Sequence, residues 1–402
     1  MQLQLAINLN VFVEDPQLKT ILKVFKEILP LILNQLFNIV LLAFAEGYME
    51  MKEKPICCDE CGNSTAFIWK TRHGRGTILK SIFCILNLKQ LQWQCKKCNH
   101  KFFITRKLLG VEPGKTIPKE TNRILGLIGA LASFRVSEKI VSMFGWALNK
   151  MAVWRAVQVI GKEIKFNLDP NELPQAEADG TGIPVIGIKK RGKEMKVIVQ
   201  HKKGGGVRIA GLSIGNYDKG WDKLFAPLLP TMKSFKEFVL VTDGDTNIFK
   251  SLKGKVKVIL QRCLWHIPHQ LKYTLWRDKA VRKSEAWLFV LSRIFMICST
   301  QAFIDEEEVK ETIIKNKEAQ LDELIGFCRK NNFSSSASYL ENAKPDMFSA
   351  LRNRYNHKTT SRVERVMRTI NLRINNRGKW STYGSLNATK IRLAYYYNGF
   401  DI

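Results

Sequence analysis

Three acidic residues occupy unusual settings in this chain. Asp179 lies in Ala178-Asp179-Gly180-Thr181-Gly182, just ahead of an apolar run, and Asp243 closes the strand-like Val239-Leu240-Val241-Thr242-Asp243 before Gly244. Glu364 is the single acid in residues 352–392, a stretch that holds eleven Lys and Arg. A carboxylate isolated in so basic a field is either an ion-pair partner or a metal ligand for work on a polyanion. Phosphodiester chemistry at neutral pH needs an activated attacking oxygen and a stabilised leaving oxygen, and two Mg²⁺ ions about 3.5–4 Å apart supply both. Hard Mg²⁺ takes oxygen ligands and keeps several waters, so two or three carboxylates suffice. Two of them should lie on adjacent strands and the third on a packed helix. Asp179, Asp243 and Glu364 are therefore the expected catalytic residues and ligands of two Mg²⁺ (or Mn²⁺) ions, for cutting or joining nucleic acid.

Neighbouring residues offer alternatives. Asp245 follows the strand end and suits a helix N-cap ahead of Thr246-Asn247-Ile248-Phe249. Glu177 would share a strand face with Asp179 and is the weaker substitute. Ser361 and Glu364 have the spacing of a capping box, and Arg365 or Arg368 could pair with the Glu364 charge. Cys263-x-x-His266 shapes the site, contacts DNA, packs in the core or binds a metal; His266 and His269 would stack on one helix face.

A second constellation is built on sulfur. Cys58-x-x-Cys61 and Cys95-x-x-Cys98 flank a basic insert. Two such pairs make a closed four-thiolate Zn²⁺ site, hence a structural one, in a zinc ribbon. Gly62 and Asn99 suit the turns after each pair, and Cys57 competes with Cys58 as a ligand. Buried free thiols are the alternative, and Cys84, in the strand-like residues 81–86, reads as core. Arg72, Arg75, Lys80, Lys89, Lys96 and Lys97 would then meet phosphates.

The whole composition agrees with a polyanionic partner. The 402 residues carry 64 Lys and Arg against 36 Asp and Glu, a formal net charge of +28. The charge is clustered, with nine bases and two acids in residues 89–123, and such clusters bind phosphates in a salt-dependent way. Nine cysteines, four of them in close pairs, suit a reducing cytosol better than disulfides. No secretory signal is expected at the start. Residues 28–45 are the most apolar stretch but hold Pro30, Asn34, Gln35 and Asn38; they read as a buried or self-associating helix rather than a membrane span. The expected location is cytoplasmic and nucleoid-associated, with no membrane partner.

The elements that must position these groups follow in order. Residues 1–50 read as helical, with Phe12, Leu18, Leu22 and Phe25 on one spacing, and 51–115 as the zinc ribbon. Residues 116–170 form a helix-turn-helix, whose third helix, 150–165, offers Lys150, Trp154, Arg155 and Gln158 to a groove; a plain three-helix packing unit is the alternative. A boundary at 169–174 is marked by two prolines. Residues 171–266 then give strands 176–188, 194–200 and 207–214, a helix 221–235, strand 238–242, a helix from 247 and strand 256–260. A helical stretch, 267–351, and a C-terminal part, 352–402, complete an α/β arrangement.

Taken together, Asp179, Asp243-Gly244, Gln261-Arg262-Cys263-Leu264-Trp265-His266 and Thr359-Thr360-Ser361-x-x-Glu364 resemble the bacterial insertion-sequence transposases of the Mutator type. The resemblance covers about residues 175–395. It implies a DDE enzyme with a ribonuclease-H-like core, a helical insertion between the second Asp and the Glu, cleavage at transposon ends and strand transfer by the freed 3′-OH. Cys263 and His266 match that family's Cys-x-x-His element. The implied partner is double-stranded DNA, both element ends and target, bound by a homodimer or higher assembly. Arg262, Arg362, Arg365 and Arg368 are then candidate phosphate contacts, with Arg373 and Arg377 extending the track, and Trp265 either stacks on an unpaired base or is buried. A DNA-binding regulator that no longer cuts, or a ribonuclease-H-like nuclease without strand transfer, are the alternatives.

Overall fold

The computed structural model describes residues 11–12, 17–74, 76–81, 84–143, 148–188, 192–217, 219–299, 307–353, 360–375 and 378–400. Arg75, Thr359 and Arg377, named above, lie outside them. The chain divides into two compact units, residues 1–160 and 161–401. The division falls eight residues before the boundary expected from Asp169 onward. Gly161 explains it, because its backbone is pressed so closely on Asn387 that a Cβ would collide with Asn387.

In the first unit, helix α1 (Leu18–Glu50) runs unbroken through Pro30. Strands β1 (Phe67–Thr71), β4 (Gln92–Cys95) and β5 (Lys101–Phe103) form an antiparallel sheet in the order β1-β4-β5. Strands β2 (Gly76–Lys80) and β3 (Ile85–Lys89) form a separate hairpin. Its turn corrects the strand expected at 81–86: the Ser81 hydroxyl accepts from the Cys84 N–H, and the strand starts only at Ile85. Cys84 is nonetheless buried, with Leu79, Leu86 and Leu88.

Helix α1 uses one face on these strands. Leu33 and Phe37 pack on the hairpin, while Leu41 and Ala45 pack with Phe67, Trp93 and Phe102. Its polar residues serve the same docking, since Asn34 and Asn38 Oδ1 accept from the Asn87 and Lys89 N–H groups of β3, each at 2.7 Å. A free strand edge is thereby capped by side chains. The helix is long and apolar enough to cross a membrane. After α2 (Thr105–Leu108), helices α3 (Lys119–Leu131), α4 (Phe134–Met143) and α5 (Lys150–Glu163) share a small core of Leu125, Val141, Leu148, Val153 and Ala156.

The second unit is built on a five-stranded sheet, β6 (Gln175–Ile183), β7 (Lys193–His201), β8 (Val207–Gly215), β9 (Phe238–Thr242) and β10 (Val258–Arg262), in the order β10-β9-β6-β7-β8. Strands β6, β7 and β8 are antiparallel; β9 and β10 run parallel to β6. Residues alternate between two cores, as a strand's period of two requires. Ala176, Ala178, Ile198 and Leu240 face α6 (Trp221–Phe225), α7 (Leu229–Ser234) and α8 (Thr246–Leu252). The single helix expected over 221–235 is broken into α6, a 3-10 turn and α7 around Pro227 and Pro230, which cannot donate to a helical ladder. On the opposite face, Ile183, Met195, Val197 and Val199 pack against α14 (Ser361–Ile374), whose Val363, Val366, Met367 and Ile370 are buried. Helix α15 (Thr382–Leu393) follows it, its N-terminus capped by the Ser381 hydroxyl.

Between β10 and α14 lie α9 (His266–Arg277), α10 (Glu285–Cys298), α11 (Glu307–Lys330), α12 (Ser334–Met347) and α13 (Ser349–Arg352). They bury a core of their own, including Ile267, Leu271, Leu275, Ile294, Leu321 and Leu340. The span thus returns the chain from the end of β10 to the start of α14.

Candidate active site and metal centre

Parallel strands β6 and β9 end their pairing at Ala178 opposite Thr242. The next residues are Asp179 and Asp243, so both acids follow directly on the last β6–β9 pair, Asp243 just past the end of β9 and Asp179 within β6. Each accepts a local backbone N–H, Asp179 from Gly180 at 2.7 Å and Asp243 from Asp245 at 2.9 Å. Gly244 turns the chain away with φ of 99°, and its backbone lies so close to the Arg262 guanidinium that a side chain there would collide. Asp245 is an N-cap: its carboxylate accepts from the Asn247 N–H and it also holds the Trp221 indole.

Glu364 is brought to this edge by α14. The capping box expected from Ser361 and Glu364 does not form, and Thr360 makes no side-chain cap. The helix N-terminus is capped instead across the fold. Glu177 Oε2, fully buried on β6, accepts from the Arg362 and Val363 N–H groups at 3.0 and 2.8 Å. Its Oε1 lies 2.9 Å from His201 Nε2 on β7. A buried carboxylate is tolerated only when paired and hydrogen-bonded, and the positive end of a helix is a favourable partner. Glu177, two residues before Asp179 on the same strand face, therefore fixes the helix of Glu364 to the strand of Asp179.

The partner of Glu364 is a histidine rather than the arginines considered from sequence. His266 Nε2 lies 3.2 Å from Glu364 Oε1, and His266 Nδ1 lies 3.3 Å from the Thr360 hydroxyl, which also contacts buried Cys263 Sγ at 3.3 Å. The Cys263-x-x-His266 pair thus orders the first turn of α14 and the Glu364 carboxylate. Burial opposes the charge on His266, but its hydrogen bonds to Cys263 and Glu364 raise the imidazole to about 10. The same bond to His266 holds Glu364 below the usual carboxylate range. Asp179 goes the other way: burial, then the charge of Asp243, push it up to about 7. Burial also raises Asp243. Burial and a like-charged neighbour both favour the protonated form of a carboxyl group.

The arginines separate into two groups. Arg365 and Arg368 are exposed and, with Trp265, Ser361 and Glu364, line a cavity of about 300 Å³. Arg362 is half-buried. Arg262 does not serve as a free phosphate contact, because it is buried and paired with Asp346 at 3.0 Å, tying β10 to α12. Arg373 is likewise buried, its guanidinium 4.6 Å from the Trp380 ring centre. Trp265 is 56 % exposed, which excludes burial.

In the first unit, Cys58, Cys61, Cys95 and Cys98 bring their sulfurs within 4.8 Å of one another and can hold a structural metal ion such as zinc. Cys58 and Cys98 are 3.5 Å apart and Cys61 and Cys95 3.6 Å, near the roughly 3.8 Å that tetrahedral Zn–S bonds of about 2.3 Å impose. Cys57 is exposed and outside the cluster. Gly62 and Asn99 adopt φ of 66° and 60°, and their N–H groups return to the Cys58 and Cys95 carbonyls. Lys96 and Lys97 are exposed at the second turn, with the Lys97 N–H 3.4 Å from Cys95 Sγ. Arg72 is engaged by Glu46 and the Trp69 ring. On α5, Lys150, Trp154 and Arg155 are exposed and Gln158 is half-buried. Among the described residues no second group of three or more His, Cys, Asp or Glu converges as tightly as the cysteines.

No protein-family model matches this chain, and no curated protein matches it.

The role of Glu177 was missed from sequence. A signal existed: an acid set between Ala176 and Ala178 in a strand must be paired once buried. Its partners, 185 and 186 residues away, could not be read locally.

Proposed function

We propose that the protein is a DNA transposase of the DDE type, which cleaves element ends and joins the freed 3′-OH to target DNA. The observation that carries this reading is the placement of Asp179 and Asp243 one step past the last pair of adjacent parallel strands, with Glu364 on a helix anchored to the same strand through Glu177. A five-stranded sheet with three antiparallel and two parallel strands, and helices on both faces, supports a ribonuclease-H-like core. The separate helical core between β10 and α14 supports the helical insertion.

Asp179, Asp243 and Glu364 would hold two Mg²⁺ ions, which activate the attacking oxygen and stabilise the leaving one when bound. The chain's own groups do the rest. Strand β6 and the Glu177 cap fix the carboxylates, His266 orients Glu364 and balances its charge, and Arg365 and Arg368 meet phosphates beside it. Lys96, Lys97, Trp154 and Arg155 supply exposed groups for the DNA ends. Zinc at the four cysteines would fold the first of these surfaces. Self-association through α1 would join two copies on two ends, without a membrane partner.

A Mg²⁺-dependent cleavage and joining assay, on DNA carrying the ends that flank the gene, tests the reading. Wild-type protein should give nicked and joined products, and Asp243→Asn neither while still binding. Binding without cleavage by both proteins, with Mn²⁺ also tried, would assign a DNA-binding regulator; nicks without joining would assign a nuclease.

A further inference from the structure

Helix α9 carries two unlike faces. Ile267, Leu271 and Leu275 are fully buried. Trp265, His269, Tyr273 and Trp276 follow steps of four, four and three residues and so share the outer face. Trp265 is 56 % exposed, Tyr273 69 % and Trp276 79 %. The Trp265 and His269 rings lie 4.1 Å apart between centres, and His269 leads on to Phe295 of α10. Beyond them, His269, Lys272, Tyr273, Trp276, Arg282 and Trp287 line an open groove of about 690 Å³.

The surrounding charge is one-sided. Residues 266–283 contain Lys272, Arg277, Lys279, Arg282 and Lys283 against a single acid, Asp278. Asp278 is already used, accepting from the Ser335 and Ser336 N–H groups at the start of α12. An apolar partner would not call for Lys272 and Arg282 in the same groove as these rings, with three further cations close in sequence. Flat π-faces flanked by cations match unpaired nucleotides, whose bases stack and whose phosphates pair with Lys and Arg. The row also begins at the candidate catalytic edge, because Trp265 shares a cavity with Glu364, Arg365 and Arg368.

We propose that the outer face of α9 is a binding track for single-stranded DNA, carrying unpaired nucleotides between the carboxylate edge and the groove at Trp276. The eleven steps from Trp265 to Trp276 rise about 16 Å at about 1.5 Å each, room for about five nucleotides at the roughly 3.4 Å strand spacing of duplex DNA. Stacking reads no sequence, so the track accepts any base. It holds a strand that has left its duplex near the cut. The assignment rests on the nucleic-acid reading above, though not on catalysis.

The test is fluorescence anisotropy of the full-length protein with a labelled twelve-nucleotide dT strand, an abasic strand of equal length and a duplex. Trp276→Ala and Tyr273→Ala alter exposed side chains, and Trp276→Phe keeps a stacking face. Each alanine variant should bind dT about ten-fold or more weakly, in line with a stacked base. Binding to the abasic strand and the duplex should stay within about two-fold, and Trp276→Phe should recover part of the dT affinity. Unchanged dT binding, or equal losses on all three probes, overturns the track alone. A wild-type dimer that Trp276→Ala dissociates also overturns it, by assigning the face to a second copy. Wild-type protein that binds none of the probes overturns the nucleic-acid reading beneath it as well.

Discussion

At the scale of single residues, the carboxylates differ in charge although they lie together. Asp179 is raised from 3.8 to about 7, by burial first and by Asp243 next, and His266 is raised from 6.5 to about 10 by its bonds to Cys263 and Glu364. The sign follows from proton counting. In the folded protein Asp179 keeps a proton that the unfolded chain gives up near 3.8, so its contribution is fully present below that pH and is lost as pH rises through about 7. His266 contributes fully below 6.5 and loses its contribution as pH rises through about 10. Stability in Mg²⁺-free buffer should therefore fall as pH rises through both windows. Urea midpoints for wild type and Asp179→Asn, measured at intervals from pH 4 to 9, check this. The variant should show a smaller fall between about 4 and 7, where buried Asp243 still contributes, and keep the later one. Parallel curves would mean that Asp179 titrates normally. Asp243 was legible because an Asp at a strand end before a Gly is a local pattern, and Asp179 because it stands before Gly180 just ahead of an apolar run; β6 in fact continues past it to Ile183. Arg262 was misread because its partner, Asp346, lies 84 residues away and is brought there by α12.

At the scale of elements, the geometry depends on how α14 is attached to the sheet. Glu177 joins them by two backbone hydrogen bonds and His201 holds it from behind. Removing one member of a buried, bonded pair costs about 3–5 kcal/mol, so Glu177→Ala should be strongly destabilised. Glu177→Gln keeps the shape with weaker acceptance. It should fold, retain duplex binding and lose Mg²⁺-dependent cleavage by ten-fold or more, with part of the loss recovered at higher Mg²⁺. A Gln variant with wild-type cleavage at all Mg²⁺ levels would leave Glu177 a purely structural residue. A capping box was the alternative start of α14 because Ser361 and Glu364 have its spacing, but a buried acid from β6 takes the first-turn amides of Arg362 and Val363 instead. The cysteine centre was easier to read, since both pairs and the turn residues Gly62 and Asn99 are local in sequence. Cys95→Ser should release the metal, measurable as zinc per chain by mass spectrometry, and lower the thermal stability of the first unit. Wild-type protein without stoichiometric zinc would remove the zinc assignment.

At the scale of the whole molecule, the proposed self-association turns on which face of α1 is left uncovered. Its docked face is taken by Leu33, Asn34, Phe37, Asn38, Leu41 and Ala45. Leu18, Leu22, Phe25, Leu29, Ile32, Leu36 and Ile39 follow steps of four and three, the spacing of coiled-coil core positions. Leu18, Leu22, Phe25, Leu29 and Ile39 on that seam are at least half exposed. A helix meant only to cover the sheet has no need of a second apolar stripe held in register over three heptads. A copy of itself satisfies that register, whereas a bilayer asks for no register and is poorly served by Asn34 and Asn38, which are bonded to β3. The periodicity was visible in the sequence, but which face the strands would cover was not, because the hairpin that claims it lies about fifty residues away. Sedimentation equilibrium of the full-length protein should therefore show a concentration-dependent dimer. Changing Leu22 and Leu29 together to Lys, on the exposed seam, should weaken it by more than ten-fold without disturbing the docked face, and joining of paired ends should fall while binding of one end persists. An unchanged mass would place the dimer contact elsewhere, and flotation of wild type with lipid vesicles, lost in the same variant, would give the seam to a membrane.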